Sequence, residues 1–388
     1  MPQPLLDQDL VNRPGSRLEV STPALVLDLD ALENNLAAMT AWAASQSLAL
    51  RPHAKTHKCA AIGRLQMARG GLGLCCAKLS EAEALAAAAG GPPLERFLLT
   101  SPVVDARRIA RLMKLAAGCG DLMVVADDAE NLRDLGTAAA AADVELGILI
   151  DIDVGQERTG VPRAEEALAL AETIAGLPAL TLKGLQGYAG QVQHIADFEE
   201  RRRATAQSLG MLAAVRDRLE AAGHPCPIVS GGGTGTHALD PAFGVLTELQ
   251  VGSYIVSDVE YDAVDLTGDG QRRFRDGLFV YARVVSTARA ETGADFVTID
   301  AGSKVLSMDG PAPVVAFGAP EGTTYSCVGD EFGRLTLPPG AETPQAGALV
   351  GLVVPHCDPT INFFDFYHCV RGDDLVDFWP IEARGCSA

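Results

Sequence analysis

The chain has 388 residues, 48% of them apolar, and a formal net charge of −19. An acid surplus of that size disfavours nucleic acid and anionic membrane surfaces as partners. Nine cysteines (59, 75, 76, 119, 226, 327, 357, 369 and 386), odd in number and irregularly spaced, argue against a disulfide framework, and no Cys-x-x-Cys pair suggests a zinc ribbon.

The opening MPQPLLDQDLVNRPGS is polar and broken by proline, unlike a signal peptide. No apolar run reaches the roughly 18 residues of a membrane span. A soluble, reduced, cytoplasmic α/β protein is expected. The first strand falls at 24–29 (ALVLDL). Eight more follow at 48–52, 73–77, 96–100, 122–126, 145–151, 182–188, 227–231 and 248–251, with helices such as 80–89, 129–142 and 197–222 between them. These strands run in Val, Ile and Leu without strict alternation, as parallel strands covered on both faces do. Eight strand–helix units predict a (β/α)8 barrel over residues 30–268, with 24–29 pairing outside it. From FVYARVV (279–285) onward, short strands and Gly/Pro turns replace helical periodicity. Residues 269–388, joined by 1–29, are therefore expected to form a β domain.

In such a barrel, chemistry sits at the C-terminal strand ends. RPHAKTHKC (51–59) follows the first barrel strand and holds Lys55 and Lys58. A lysine in a partly desolvated pocket can form a Schiff base, with Arg51 and Lys58 helping to depress the pKa of Lys55. Spacing alone does not separate the two lysines from each other, or the motif from a solvated basic loop. SGGGTGT (230–236) follows the seventh barrel strand and VGSY (251–254) the eighth. Loops there commonly hold phosphate, and consecutive glycines let backbone N–H groups approach an anion; a plain glycine-rich turn is the alternative. No Lys-Ser/Thr follows the glycines, so this is no nucleotide P-loop.

In VVPHCDPTINFFD (353–365), His356 and Asp358 are two apart. On an extended segment both side chains point the same way, offering an imidazole and a carboxylate to Mn, Mg, Fe or Zn; a surface His-x-Asp pair is the alternative. Asp330, in GDEFG, offers a third carboxylate or a holder of metal-bound water. Arg158, Tyr188 and His194 lie in loops after the fifth and sixth barrel strands, on the catalytic face. His224, His237 and His368 fit no pattern and are read as structural, and Cys75–Cys76 as buried packing.

Taken in order, TPALVLDLDALENNL (22–36), RPHAKTHK (51–58), CCAKLSEAEA (75–84), DVGQERTGV (153–161), QGYAGQVQH (186–194), SGGGTG (230–235), ELQVGSY (248–254), IDAGSK (299–304), PHCDPT (355–360) and WPIEARG (379–385) resemble the fold type III pyridoxal-phosphate enzymes. The branch is that of D-threonine aldolase, 3-hydroxy-D-aspartate aldolase and D-serine dehydratase. The resemblance implies that Lys55 holds pyridoxal phosphate. It places Ser230, Gly231, Gly232, Gly233, Thr234, Gly252, Ser253 and Tyr254 around the cofactor, chiefly its phosphate, and Arg158 and Tyr188 near its ring. It makes His356 and Asp358 ligands of a divalent metal, Mn2+ or Mg2+, with Asp330 acting through water. It also implies a head-to-tail homodimer with active sites at the subunit interface.

The activity implied is retro-aldol cleavage of a β-hydroxy-D-amino acid to glycine and an aldehyde, with His194 or metal-bound hydroxide as base. A dehydratase giving a keto acid and ammonia is the first alternative, and a non-catalytic pyridoxal-phosphate carrier the second. The His-x-Asp pair, where the dehydratases have His-x-Cys, points to the aldolases, because Cys357 on a strand would face away from the metal. Residues 269–388 argue against the carriers, which are single barrels. The chain departs from the branch at Ala77, Ala189 and Phe332, which replace a glutamine and two histidines. This points to a more apolar pocket, suited to bulkier side chains such as that of phenylserine.

Overall fold

Strand β1 (Ala24–Asp28) leads into helix α1 (Leu29–Ser45) in the computed structural model, which describes residues 6–288, 290, 293 and 295–388. Eight short strands follow: β2 (Ala49–Leu50), β3 (Leu74–Cys76), β4 (Arg96–Leu99), β5 (Asp121–Ala126), β6 (Leu146–Asp151), β7 (Leu180–Gly187), β8 (Ile228–Gly231) and β9 (Glu248–Leu249). Between them run α2 (Ala60–Ala68), α3 (Leu79–Ala86), α4 (Ala106–Gly118), α5 (Ala129–Ala142), α6 (Ala164–Ala175) and α7 (Phe198–Ala221). The described residues divide into two units. A barrel unit comprises Ala38–Gly252, Val264–Arg273 and Gly385–Ala388; the second comprises the described residues up to Ala37, Ser253–Ala263 and those within Phe274–Arg384.

In the barrel unit all eight strands pair in parallel, in the order β2-β9-β8-β7-β6-β5-β4-β3. A parallel bridge between His53 and Cys75, with Cys75 N donating to Pro52 O (2.8 Å), closes the ring. This is the expected (β/α)8 barrel. Its interior is filled by Cys75, Leu98, Met123, Val125 and Leu149, all buried and packed with Ile228. Each such buried apolar side chain contributes roughly 1.5–3 kcal/mol. Cys75 is therefore packing, as the sequence suggested. Side chains set the helix starts. The carboxylates of Asp105, Asp128 and Asp197 accept from the first free N–H groups of α4, α5 and α7, each cap being worth about 1 kcal/mol. In β7 the pairing slips, and Gly184 sits at φ +140 where a Cβ would lie 1.8 Å from Ile228 O. Only glycine fits there.

The second unit adds α8 (Val259–Asp262), β10 (Leu278–Ser286), β11 (Phe296–Ile299), β12 (Val314–Phe317), β13 (Thr324–Cys327), β14 (Gly333–Thr336), β15 (Leu349–Val353), α9 (Cys357–Ile361), β16 (Phe366–Arg371) and β17 (Asp374–Pro380). The N-terminal strand β1 lies between β10, antiparallel, and β16, parallel. It therefore pairs outside the barrel, with Val26 in a core that includes Leu10, Val20, Tyr281, Val370 and Leu375.

The segment at 356–361 departs from expectation. It is not extended. His356 is the N-cap of α9 (φ −142, ψ 119), and Cys357 and Asp358 begin the helix. The period-2 argument that aims His356 and Asp358 the same way and turns Cys357 away from the metal therefore fails, although Cys357 is fully buried. No described helix is long and apolar enough to cross a membrane.

Candidate functional site

The barrel unit opens a cavity of about 460 Å³ at the C-terminal strand ends. Lys55, Arg158 and Tyr188 line it together, with His53, Lys78, Thr100, Gln186 and Gln250 among the other wall residues. The Arg158 guanidinium lies 5.6 Å from the Tyr188 ring centroid, a cation–π distance. The structure also separates the two lysines. Lys58, at φ +53, donates its Nζ to Lys55 O at 2.5 Å and is buried, whereas Lys55 faces the cavity.

His53 shapes this turn. Its Nδ1 accepts from Lys55 N (3.3 Å), and its Nε2 meets Thr100 Oγ1 (3.1 Å), which itself donates to Cys76 O (3.3 Å). That pattern selects the neutral Nε2–H tautomer. Arg51 is itself paired. Its guanidinium forms a bidentate pair with Glu248, Nε to Oε1 at 2.8 Å and Nη2 to Oε2 at 3.0 Å, both side chains nearly fully buried. The carboxylate offsets its charge.

A polar chain runs on from this pair. Ser230 Oγ donates to Glu248 Oε1 (2.7 Å), and Gln250 Nε2 donates to Ser230 Oγ (2.9 Å) and Gln186 Oε1 (3.0 Å). Gln186 Nε2 then donates to Asp151 Oδ1 (2.9 Å), whose Oδ2 accepts from Thr159 (2.8 Å). Burial pushes the Asp151 pKa up to about 6, partly opposed by the bonds from Gln186 and Thr159. The Ser230 hydroxyl is thus engaged in the barrel wall. Sequence reasoning missed His53, Lys78, Thr100, Gln186 and Gln250. The signal was available, since each is a polar residue at or just past a strand end.

The glycine loop is shaped by Gln193. A Cβ on Gly233 would meet Gln193 Oε1 at 2.4 Å, and one on Gly235 would meet Gln193 O at 2.0 Å. Gln193 Oε1 also accepts from Gly235 N (2.9 Å). Gly235 is therefore required by the main chain of the neighbouring loop, the one that carries Tyr188 and His194, while Gly233 meets only the end of the Gln193 side chain. His194 is exposed and is not among the cavity-wall residues. The Thr56 hydroxyl is buried without a partner, 2.6 Å from where a Gly252 Cβ would lie.

Asp240 sits beneath this loop, its Oδ2 accepting from Thr236 Oγ1 (2.9 Å); burial raises its pKa from 3.8 to about 8. Its contribution to stability is complete below the unfolded pKa of 3.8 and is lost as pH rises through about 8. Asp240→Asn keeps the acceptor and removes the charge. Its thermal unfolding midpoint is expected to exceed that of the parent at about pH 9, with the gap closing towards about pH 4. A gap that does not change with pH would contradict this.

The second unit holds the His-x-Asp pair. His356 Nδ1 lies 3.0 Å from Asp309 Oδ2, and Cys357 N donates to Asp258 Oδ2 (3.0 Å). The Cys357 thiol lies 3.5 Å from Asp358 Oδ1. Tyr254 is buried edge-on against Phe274 (5.8 Å). Asp330 accepts from Ser303 Oγ (3.1 Å) and lines a separate cavity of about 380 Å³ with Phe332 and Lys304. Among the described residues, no three His, Cys, Asp or Glu side chains converge to hold a metal.

Residues 27–259 match the family described as alanine racemase, N-terminal domain, and residues 277–370 the putative serine dehydratase domain. D-threonine aldolase of an Arthrobacter species is 40% identical over 376 residues, covering 97% of this chain and 96% of that protein. The chain belongs to the D-threonine aldolase family of fold type III pyridoxal-phosphate enzymes. A second relative in the family, 3-hydroxy-D-aspartate aldolase of Paracoccus denitrificans, is 36% identical over 382 residues, covering 97% and 96% of the two chains. The crystal structure of D-threonine aldolase from Filomicrobium marinum superposes with a TM-score of 0.89 at 37% identity, covering 96% of this chain and 98% of that one.

The barrel residues fit the family's cofactor. Lys55 and two aromatic or cationic partners share one cavity, and a buried, unpartnered hydroxyl lies beside Gly252. The donor chemistry at 356 and 358, one imidazole and one carboxylate, fits a divalent cation.

Proposed function

We propose that this chain cleaves the Cα–Cβ bond of β-hydroxy-D-amino acids by a retro-aldol reaction, releasing glycine and an aldehyde. The 40% identity to D-threonine aldolase across 97% of the chain carries this reading. Pyridoxal phosphate supplies an electron sink for the carbanion left at Cα. Lys55 would hold it covalently through Nζ, the main chain at Gly231–Thr234 and Gly252–Tyr254 would take its phosphate, and Arg158 and Tyr188 would flank its ring. A divalent cation supplies a Lewis acid that lowers the pKa of the substrate hydroxyl. His356 and Asp358 would hold it, with Asp330 acting through water. The reading assigns the hydroxyl proton to His194, on the loop after β7, although it is exposed and outside the cavity wall. Ala189 and Phe332 stand where the family commonly has histidines, and on that ground the reading extends to substrates with aryl or alkyl side chains. The reading includes Mn2+ or Mg2+ as the metal, a cytoplasmic location and a homodimer with active sites at the interface.

A second reading rests on the match of residues 277–370 to the putative serine dehydratase domain. The same groups would then expel the hydroxyl as water, giving a keto acid and ammonia. One experiment separates the two. Protein supplied with pyridoxal phosphate and Mn2+ is incubated with a panel of β-hydroxy-D-amino acids, with and without chelator. Glycine and aldehyde in equal amounts, lost on chelation, are expected. Ammonia without glycine overturns the aldolase reading, and turnover that ignores chelator removes the metal from it.

A further inference from the structure

The geometry points to Asp309 as the residue that orients His356 for metal binding, an inference that rests on reading His356 as a ligand. Asp309 Oδ2 lies 3.0 Å from His356 Nδ1. A carboxylate facing Nδ1 fixes the proton there, which turns the Nε2 lone pair outward as the ligand atom. The carboxylate is itself held. Its Oδ1 accepts from Ser307 Oγ. Ser307 is nearly fully buried, and its N–H donates to Thr360 Oγ1 (3.2 Å), in α9. Thr360 is fully buried and lies on the helix that His356 caps.

The result is a closed ring running from the imidazole to Asp309, to Ser307, to Thr360, and back through one turn of helix. Asp258 anchors the same turn from the other direction by accepting from Cys357 N (3.0 Å). Both Asp309 oxygens are engaged, one by the imidazole and one by Ser307. In this reading Asp309 positions the imidazole and leaves the ligation to His356.

Sequence reasoning had no means of finding it. MDG (308–310) is 47 positions from His356 and has the composition of an ordinary turn.

The test measures Mn2+ affinity directly, by the electron paramagnetic resonance signal of free Mn2+, in cofactor-loaded parent, Asp309→Leu, Asp309→Asn and His356→Ala proteins. Asp309→Leu should weaken binding by about 10- to 100-fold, the usual effect of losing a partner to a ligating histidine. Asp309→Asn should stay nearer the parent, because its amide oxygen still accepts from Nδ1–H. If His356→Ala loses binding while Asp309→Leu stays within about twofold of the parent, far short of that range, Asp309 has no orienting role and the metal assignment stands. If Asp309→Asn falls as far as Asp309→Leu, the charge itself binds the cation and the orienting role is wrong. If His356→Ala binds Mn2+ normally, both the metal assignment and this inference fail.

Discussion

Lys55→Ala is expected to lose both turnover and the visible absorbance of lysine-bound cofactor, while Lys58→Ala and Lys78→Ala keep the absorbance. Three lysines lie near the cavity, so the assignment needs this comparison. Lys58 is buried and its ammonium is bound to the carbonyl of Lys55, which leaves it no path into the cavity. Lys78 lines the cavity but is exposed, at the N-cap of α3. Lys55 has its main chain fixed by His53, and its side chain enters the same space as Arg158 and Tyr188. An unprotonated amine there can exchange the cofactor with substrate and then move protons. Loss of turnover should exceed the roughly 100- to 10,000-fold effect of a single proton-transfer group. A retained absorbance in Lys55→Ala would show that another amine carries the cofactor.

The barrel was legible because its strands are short, apolar and separated by helices with their own stop signals. The helix expected at 129–142 has those limits, since Asp128 caps it and Asp143, at φ 54, ends it. The 356–361 segment was misread for a local reason. Two prolines bracketing His-Cys-Asp suggest extended chain, yet Pro359 occupies the first turn of α9, where no N–H is needed. The glycines of SGGGTG were legible as a tight loop, but not the partner that demands Gly235: Gln193 comes from another strand–helix connection. Charge was the least legible feature. Arg51 reads as a neighbour that would depress the pKa of Lys55 until Glu248, 197 positions away, is placed against it. Long-range pairing of this kind leaves no periodicity in a single sequence.

That pairing carries the largest stability effect expected from one substitution. Glu248→Ala should destabilise the fold by about 3–5 kcal/mol, read as a fall in the urea midpoint, because it leaves a buried guanidinium with no counter-charge. Burial alone would lower the Arg51 pKa; the bond and charge of Glu248 reverse this and hold it above its ordinary value. Arg51 Nη1 is buried without a partner, and a Cβ on Gly73 would lie 2.6 Å from it. Ser230 would lose its acceptor in the same step, loosening Gln250 and the cavity wall beyond it. Replacing both charges by apolar residues of similar size should recover much of the loss, since an absent pair costs less than half of one. A Glu248→Ala protein as stable as the parent would mean that solvent reaches Arg51, and that the polar chain from Arg51 to Asp151 does not hold the cavity wall in place.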